Sequence, residues 1–168
     1  MKKAVMVVAQ NGFRDEELLE PKKVLEDGGI KVIIASRSTK PAKGMLGAVV
    51  KPDISLEQIS VNEFDAVIFV GGSGSSEYWD NSQAHKIAQE AMAQGKVLAA
   101  ICIAPVTLAK AGLLRGKKAT VWASEAGQLK AYGAFYTANA VEQDGKIVTA
   151  NGPSAAREFG ETIAKMLK

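Results

Sequence analysis

Cys102 is the only cysteine in the chain, and it stands where an apolar run ends and a helix-like run begins, in VLAAICIAPVTLAK. At such a strand-to-helix corner, free backbone N–H groups and the helix dipole favour the thiolate and lower the thiol pKa. The same corner exposes the nucleophilic serine of many hydrolases, although glycines usually flank that serine, and Ala100, Ile103 and Ala104 stand here. A buried cysteine that packs as a small apolar side chain is the alternative.

A nucleophilic thiol needs an acid–base partner, and the nearest candidates follow the first apolar run. Glu16, Glu17 and Glu20 open a helix there, where carboxylates also stabilise the helix dipole or simply face solvent. The only histidine, His85, falls in the first turn of another helix and is interpreted as a surface residue. The sequence alone does not choose among the three glutamates.

A glycine-rich loop, GGSG at residues 71–74, follows a later apolar run. Its backbone N–H groups could stabilise a developing oxyanion, and a flexible turn is the alternative interpretation. The loop is not a dinucleotide-binding fingerprint, because Glu77 stands where the third glycine would be required.

Composition excludes several classes of protein. With 168 residues the chain fits one domain, 1–168, and 47% hydrophobic with 23% charged residues is ordinary for a globular protein. One cysteine forbids an internal disulfide, and one histidine argues against structural zinc. A net charge of +3, with mixed signs, does not predict nucleic-acid binding, and no run is long enough to span a membrane. No cleavable leader is recognised, so a cytoplasmic protein is expected.

The elements that must position these residues alternate between apolar, β-branched runs and helical patterns. The predicted strands are 3–9, 31–36, 65–70, 97–101, 119–122, 135–137 and 146–150. The predicted helices are 15–27, 82–94, 104–111 and one from Pro153 to the C-terminus, with Pro21 indicating a kink or a late start in the first. This alternation predicts an α/β fold, a three-layer α/β/α sandwich around a mostly parallel, doubly wound sheet.

In such sheets ligands bind beyond the carboxyl ends of the strands, where the strand order switches. Four loops fall at strand ends of this kind: 10–17, 71–76, 102–105 and 151–154. Since Cys102 lies in one of them, its placement favours a functional site there.

Several segments, in this order, resemble the ThiJ/PfpI superfamily over nearly the whole chain: FRDEELLEP, FDAVIFVGGSG, AAICIAP, AGLLRGKKAT and VEQDGKIVTANGPSAAREF. The resemblance implies a flavodoxin-like fold related to class I glutamine amidotransferases. The last segment is most similar to the branch that contains the human Parkinson-disease protein.

The resemblance implies that Cys102 is the nucleophile and that Glu17, four residues before Pro21, is the acid beside it. A buried carboxyl next to the sulfur would have a raised pKa and hydrogen-bond it while protonated. The backbone N–H groups of Gly72 and Ile103 are expected to stabilise an oxyanion. The remaining predicted pocket residues are Gly71, Ser73, Trp122, Asn151, Gly152 and Pro153.

Two departures from the family pattern bear on chemistry. Ile103 follows the nucleophile where the protease-like branch has histidine, and Trp122 stands where the Parkinson-type branch has one. Without that base, peptidase or amidotransferase chemistry is disfavoured, since it must activate the thiol and protonate a leaving amine.

The leading hypothesis is an enzyme for reactive carbonyls, glyoxalase III-like or deglycase-like, that acts without cofactor on small aldehydes or glycated substrates. A redox sensor or stress chaperone that works by oxidation of Cys102 is the alternative. A scaffold that kept the corner but lost its chemistry is the third interpretation. Members of the family are usually dimers or higher oligomers, so the resemblance also implies a homodimer or a higher homo-oligomer.

Overall fold

The computed structural model describes the whole chain, Met1–Lys168. Its strands are β1 (Lys3–Val7), β2 (Asn11–Phe13), β3 (Lys31–Ser36), β4 (Ala42–Gly44), β5 (Val49–Val50), β6 (Ile54–Ser55), β7 (Ala66–Phe69), β8 (Val97–Ile101), β9 (Lys118–Ala119), β10 (Phe135–Tyr136), β11 (Val141–Asp144) and β12 (Ile147–Ala150). Its α-helices are α1 (Asp15–Asp27), α2 (Ser82–Ala93), α3 (Pro105–Lys110), α4 (Ala126–Ala131) and α5 (Ala156–Met166).

Seven strands form the central sheet in the order β11-β12-β8-β7-β1-β3-β6. All neighbours are parallel except β11, which pairs antiparallel with β12 at one edge. Helices α1 and α5 pack together on one face of the sheet, while α2 and α3 cover the other. The predicted α/β fold with a mostly parallel, doubly wound sheet is therefore confirmed.

The side chains of β1 point alternately into the two apolar cores on either side of the sheet. Ala4 and Met6 belong to the apolar cluster beneath α1 and α5, whereas Val5 and Val7 belong to the cluster beneath α2 and α3. Because successive side chains of a strand point to opposite faces, a strand buried on both sides reads as a continuous apolar run. This is why the five-residue run of β8, Val97–Ile101, is buried throughout.

The strand order reverses between β1 and β7. From β1 the chain passes through α1 to β3 on one side, whereas β7, β8 and β12 are added on the other side. The carboxyl ends of β1, β7 and β8 therefore meet at the switch point, and Glu17, Gly71 and Cys102 follow these three ends. Topology brings together residues that lie far apart in sequence.

A small three-stranded sheet, β2-β4-β5, stands beside this edge and was not predicted. The buried carboxylate of Asp15 holds its turn, accepting hydrogen bonds from the backbone N–H groups of Leu46 at 3.0 Å and Ala48 at 2.8 Å. The turn places Met45 next to the switch point, where its sulfur accepts a hydrogen bond from the Ser73 N–H at 3.4 Å. Residues of the predicted loop 10–17 thus support part of the site.

Two details of the predicted helices need correction. Helix α1 begins at Asp15 and runs through Pro21 without a late start, and the buried Pro21 packs against Gly160 of α5. The last helix does not start at Pro153, because Pro153–Ala155 forms a 3₁₀ turn that precedes α5. No helix has the length and apolar composition needed to cross a membrane.

Candidate active site

Cys102 occupies a tight corner between β8 and α3. Its φ of 65° lies in the left-handed region, which a residue with a side chain adopts only at a cost of roughly 1–2 kcal/mol. Two hydrogen bonds fix the corner: the Cys102 N–H donates to the Ala150 carbonyl at 2.9 Å, and its carbonyl accepts from the Trp122 N–H at 2.8 Å. Such strain, held by neighbouring strands, aims the thiol away from the sheet and into the space beyond it.

The pKa of the Cys102 thiol is higher than the corner alone predicted. Burial, followed by the negative charge of an ionised Glu17, raises the pKa of Cys102 to about 12, against the weaker opposite effect of the Gly72 and Ile103 backbone N–H groups. Helix α3 begins only at Pro105 and has six residues, so burial of the thiol and the neighbouring carboxyl dominate at this corner.

Glu17 is fully buried at the end of the first turn of α1, and neither carboxyl oxygen has a hydrogen-bond partner of ordinary geometry. Burial raises the pKa of Glu17 to about 8, while the Cys102 thiol, the charge of Arg14 and the Gly71 N–H lower it to a smaller extent. A carboxyl with this pKa is mostly protonated at neutral pH. It can donate a hydrogen bond to sulfur, and it ionises within the physiological range.

Two glycines after β7 allow this close approach. A Cβ on Gly71 would overlap Glu17 Oε1, the Cβ of Cys102 and the Ile101 carbonyl. Gly72 has a φ of 108°, a conformation that side chains disfavour, and a Cβ there would meet the backbone of Arg14. The loop is also tied to α1, because the Arg14 N–H donates to the Gly71 carbonyl at 2.9 Å. The backbone of this loop therefore lies against the thiol.

An open cleft of about 420 Å³ leads to the thiol. It is lined by Arg14, Met45, Gly72, Ser73, Ser76, Trp79, Cys102, Ile103, Trp122, Ser124 and Pro153. Most of this wall is apolar or hydroxyl-bearing, which suits a small molecule with few polar groups.

Arg14 is a site residue that sequence reasoning missed. Its Nε donates to Glu16 Oε1 at 2.9 Å and its Nη2 donates to Glu16 Oε2 at 3.0 Å. This pair of hydrogen bonds raises the pKa of Arg14 and lowers the pKa of Glu16. The only sequence signal was its position in the loop 10–17, which was predicted to lie at the binding edge of the sheet.

The only histidine does not face the thiol. The Nε2 atom of His85 hydrogen-bonds the Trp79 carbonyl at 2.6 Å, and the Trp79 indole N–H donates to the Ile103 carbonyl at 3.0 Å. His85 thus supports a wall of the cleft through the backbone of Trp79. Glu17 is left as the acid–base group in contact with the sulfur.

The structure brings together most, but not all, of the predicted pocket residues. Ser73, Trp122 and Pro153 line the cleft with Cys102, whereas Gly71 lies behind the thiol, against Glu17. Asn151 and Gly152 instead line a neighbouring groove of about 160 Å³. The indole of Trp122 lies against Gly152 and separates this groove from the cleft. No group of three or more His, Cys, Asp or Glu side chains is placed to hold a metal ion.

A strained corner cysteine, a buried glutamate and a glycine turn at the switch point of a doubly wound sheet define a class of α/β proteins with a thiol site. Residues 2–166 match the model of the DJ-1/PfpI family. The chain belongs to this family.

Individual relatives support the family assignment. An uncharacterized protein of Methanocaldococcus jannaschii is 41% identical over 169 residues, with 99% of this chain and 82% of the relative covered. A protein of Pyrococcus horikoshii named a deglycase is 31% identical, with 98% of this chain and 99% of the relative covered. The crystal structure of a ThiJ/PfpI domain protein from Brachyspira murdochii superimposes with a TM-score of 0.96 at 30% identity, covering 98% of this chain and 95% of that one.

Proposed function

We propose that the protein is a cysteine-dependent enzyme for reactive carbonyls, deglycase-like and glyoxalase III-like, that needs neither glutathione nor a bound cofactor. One observation carries the proposal: the carboxyl of Glu17 is fully buried, and its close polar neighbours are the thiol of Cys102 and the Gly71 N–H. A carboxyl is expensive to bury without a partner, so a role in proton transfer at that thiol explains its presence. The deglycase name of the Pyrococcus relative supports the same class of substrate.

The first step with methylglyoxal is addition of the Cys102 sulfur to the aldehyde carbon. The ionised fraction of Glu17 takes the thiol proton as the C–S bond forms and then passes it to the aldehyde oxygen. That oxygen becomes the hydroxyl of a hemithioacetal, and Glu17 is ionised again. With a pKa of about 8, Glu17 is a stronger base than an ordinary glutamate and still ionises near neutral pH. The Gly72 and Ile103 N–H groups favour negative charge on the sulfur.

The second step moves a proton between the two carbonyl carbons. Glu17 removes the proton from the carbon bonded to sulfur and returns it to the neighbouring carbon. The hydroxyl proton passes from the first oxygen to the second through the enediol, so that the hemithioacetal becomes a thioester of lactate. Water then hydrolyses the thioester, so that methylglyoxal and one water give lactic acid and the thiol is restored. One carboxyl acts as acid and base in turn, which agrees with the absence of histidine at the sulfur.

Peptidase chemistry remains disfavoured. Ile103 and Trp122 occupy the positions where other branches carry histidine, and His85 is bonded to the backbone of Trp79. A leaving amine therefore has no imidazolium to protonate it.

A redox sensor is the second candidate, favoured by the same unpartnered carboxyl. Oxidation of Cys102 to sulfinate would supply the oxygen that a protonated Glu17 could bond, with Gly72 and Ile103 N–H groups beside it. Intact-mass analysis after treatment with dilute peroxide tests this hypothesis. Selective addition of two oxygens in wild type, and only one in Glu17→Leu, would support it.

Lactate formation from methylglyoxal without glutathione tests the enzyme. We expect wild type to be active and Cys102→Ala to be inactive, with Glu17→Gln at least about a hundredfold slower, the usual contribution of a general acid–base group. Glu20→Gln, which changes an exposed acid on the same helix, is the matched control. An inactive wild type with a free thiol would reject this function.

Self-association and a cytoplasmic location stay predictions. Sedimentation of the purified chain tests self-association.

A further inference from the structure

Arg14 is the only charged side chain on the wall of the cleft. The polar side chains that accompany it are the hydroxyls of Ser73, Ser76 and Ser124, and the rest of the wall is apolar, glycine or the thiol. The positive charge lies close enough to act on both Glu17 and Cys102, since each of them contributes to the raised pKa of Arg14. A cleft whose only lining charge is a guanidinium is suited to an anionic ligand.

The guanidinium is fixed in place before any ligand arrives. Glu16 holds it through two hydrogen bonds, and the Arg14 backbone donates to the Gly71 carbonyl. These side-chain bonds use two of the five N–H donors of arginine and leave about three for a ligand. A side chain that is already ordered loses little entropy on binding, which makes such a clamp more effective.

The volume of the cleft also exceeds what methylglyoxal needs. Methylglyoxal has five non-hydrogen atoms, so even at about 30 Å³ for each, the volume of a water molecule, more than half of the 420 Å³ stays empty.

We propose that the preferred substrates are 2-oxoaldehydes that carry a terminal anionic group, a carboxylate or a phosphate, which Arg14 binds while the aldehyde reaches Cys102. The proposal rests on the proposed function and names its substrate class. The anionic group takes no part in bond making: the aldehyde end is converted with one water into a 2-hydroxy acid, as for methylglyoxal.

Turnover of matched substrates tests the proposal. The first probe is the dioxopentanoate that carries the oxoaldehyde at one end of its chain and the carboxylate at the other. The second is the neutral methyl ester of that acid, and the third is hydroxypyruvaldehyde phosphate. We expect wild type to prefer the acid over the ester by about tenfold or more in kcat/KM, the scale of one charge-assisted hydrogen bond. Arg14→Gln should abolish the preference. The ratio between the phosphate and the carboxylate probe identifies which anion the cleft suits.

Two further variants keep the result interpretable. Arg157→Gln removes an exposed arginine of α5 outside the cleft, and it should keep the full preference for the acid. Arg14→Gln combined with Glu16→Gln removes the ion pair as a unit, so that no unpaired carboxylate remains, and it should lose the preference as the single variant does. Equal turnover of acid and ester by wild type, or a preference that survives in both Arg14 variants, would overturn the proposal.

A binding measurement separates this proposal from the proposed function. If wild type converts no oxoaldehyde, the function fails, and calorimetry with glycerol phosphate and succinate on Cys102→Ala still examines the clamp. If Cys102→Ala binds these anions and the double variant Cys102→Ala with Arg14→Gln does not, the result supports an anion site at Arg14. If Cys102→Ala itself binds neither anion, the anion site is rejected.

Discussion

Glu17 at the floor of the cleft and Glu16 at its rim are adjacent in sequence, yet the pKa of Glu17 is raised to about 8 and that of Glu16 is lowered. In the floor, formed by Glu17, Gly71 and Cys102, the first two residues are buried, whereas Cys102 is half-buried and opens to the cleft. The rim, formed by the Arg14–Glu16 pair with Met45 and Trp122, is partly exposed. Chemistry is thus assigned to the part that the topology fixes, and ligand recognition to the part that solvent reaches.

The pH dependence of stability should separate the two glutamates most strongly. In the window from the ordinary value of 4.5 up to about 8, folded Glu17 holds a proton that the unfolded chain has released. Wild-type stability therefore falls as pH rises through this window. Glu17→Gln should gain up to a few kcal/mol at pH 8, less the cost of an unpaired buried amide, and the gain should vanish near pH 4.

Glu16→Gln should show the opposite sign. The lowered pKa of Glu16 stabilises the fold above its unfolded pKa, and that stabilisation is lost as pH falls through the folded value. Because the pair is partly exposed, the loss at neutral pH is about 1 kcal/mol or less. Urea unfolding of both variants at several pH values measures the effects, and equal signs would remove the distinction between floor and rim.

The packing of the floor is tested by Gly71→Ala. The added methyl must displace Glu17 Oε1, the Cβ of Cys102 or the Ile101 carbonyl, which should cost about 1–3 kcal/mol and most of the activity. Gly127→Ala is the matched control, since nothing lies within 4 Å of that Cβ in α4. It should stabilise the helix by up to about 1 kcal/mol. Thermal unfolding compares the two, and a Gly71→Ala variant as stable and active as wild type would contradict the packing described.

The sequence predicted the floor better than the rim. Continuous apolar runs marked β1, β3, β7 and β8, and the loops at their carboxyl ends could be placed at one edge of the sheet. The resemblance then pointed to Glu17 and Cys102. The raised pKa of the thiol could not be foreseen from the corner, because it depends on burial beside a carboxyl contributed by a different element.

The rim depends on short elements that carry little pattern. Strands of two or three residues, such as β4 and β5, are too short to show alternation, so the turn that presents Met45 was missed. Trp79 is held at the cleft by a tertiary contact with Ile103, and Arg14 is held by Glu16, two residues along the chain, in a segment with no apolar pattern. Asn151 was expected in the pocket, but the ring of Trp122 places it on the neighbouring groove.

Thiol reactivity should respond to the floor and not to the rim. Removing the Glu17 charge lowers the pKa of Cys102, so Glu17→Gln should be alkylated by iodoacetamide severalfold faster than wild type at pH 9. Glu16→Gln should differ little, since Glu16 is not among the groups that shift the thiol. Intact mass against time gives the rates, and a slower Glu17→Gln variant would show that the carboxyl activates the thiol under these conditions.

The smallest effect is expected at the exposed end of the rim. The indole of Trp122 is 46% exposed, so Trp122→Ala should cost about 1 kcal/mol or less in stability. It lines the cleft and separates it from the groove of Asn151, so its removal should raise KM for methylglyoxal a few-fold with kcat nearly unchanged. Trp122→Phe should restore KM. A large fall in kcat would instead place the indole at the reacting atoms.

The central claim, a protonated Glu17 beside the thiol at neutral pH, is tested most directly by carbon NMR titration of the glutamate side-chain carboxyls. The resonance absent from Glu17→Gln identifies the group, and Glu16→Gln assigns its neighbour. We expect a midpoint near 8 for Glu17, well above the other glutamates, and a shifted midpoint when Cys102 is replaced by alanine. A midpoint near 4.5 in wild type would contradict it.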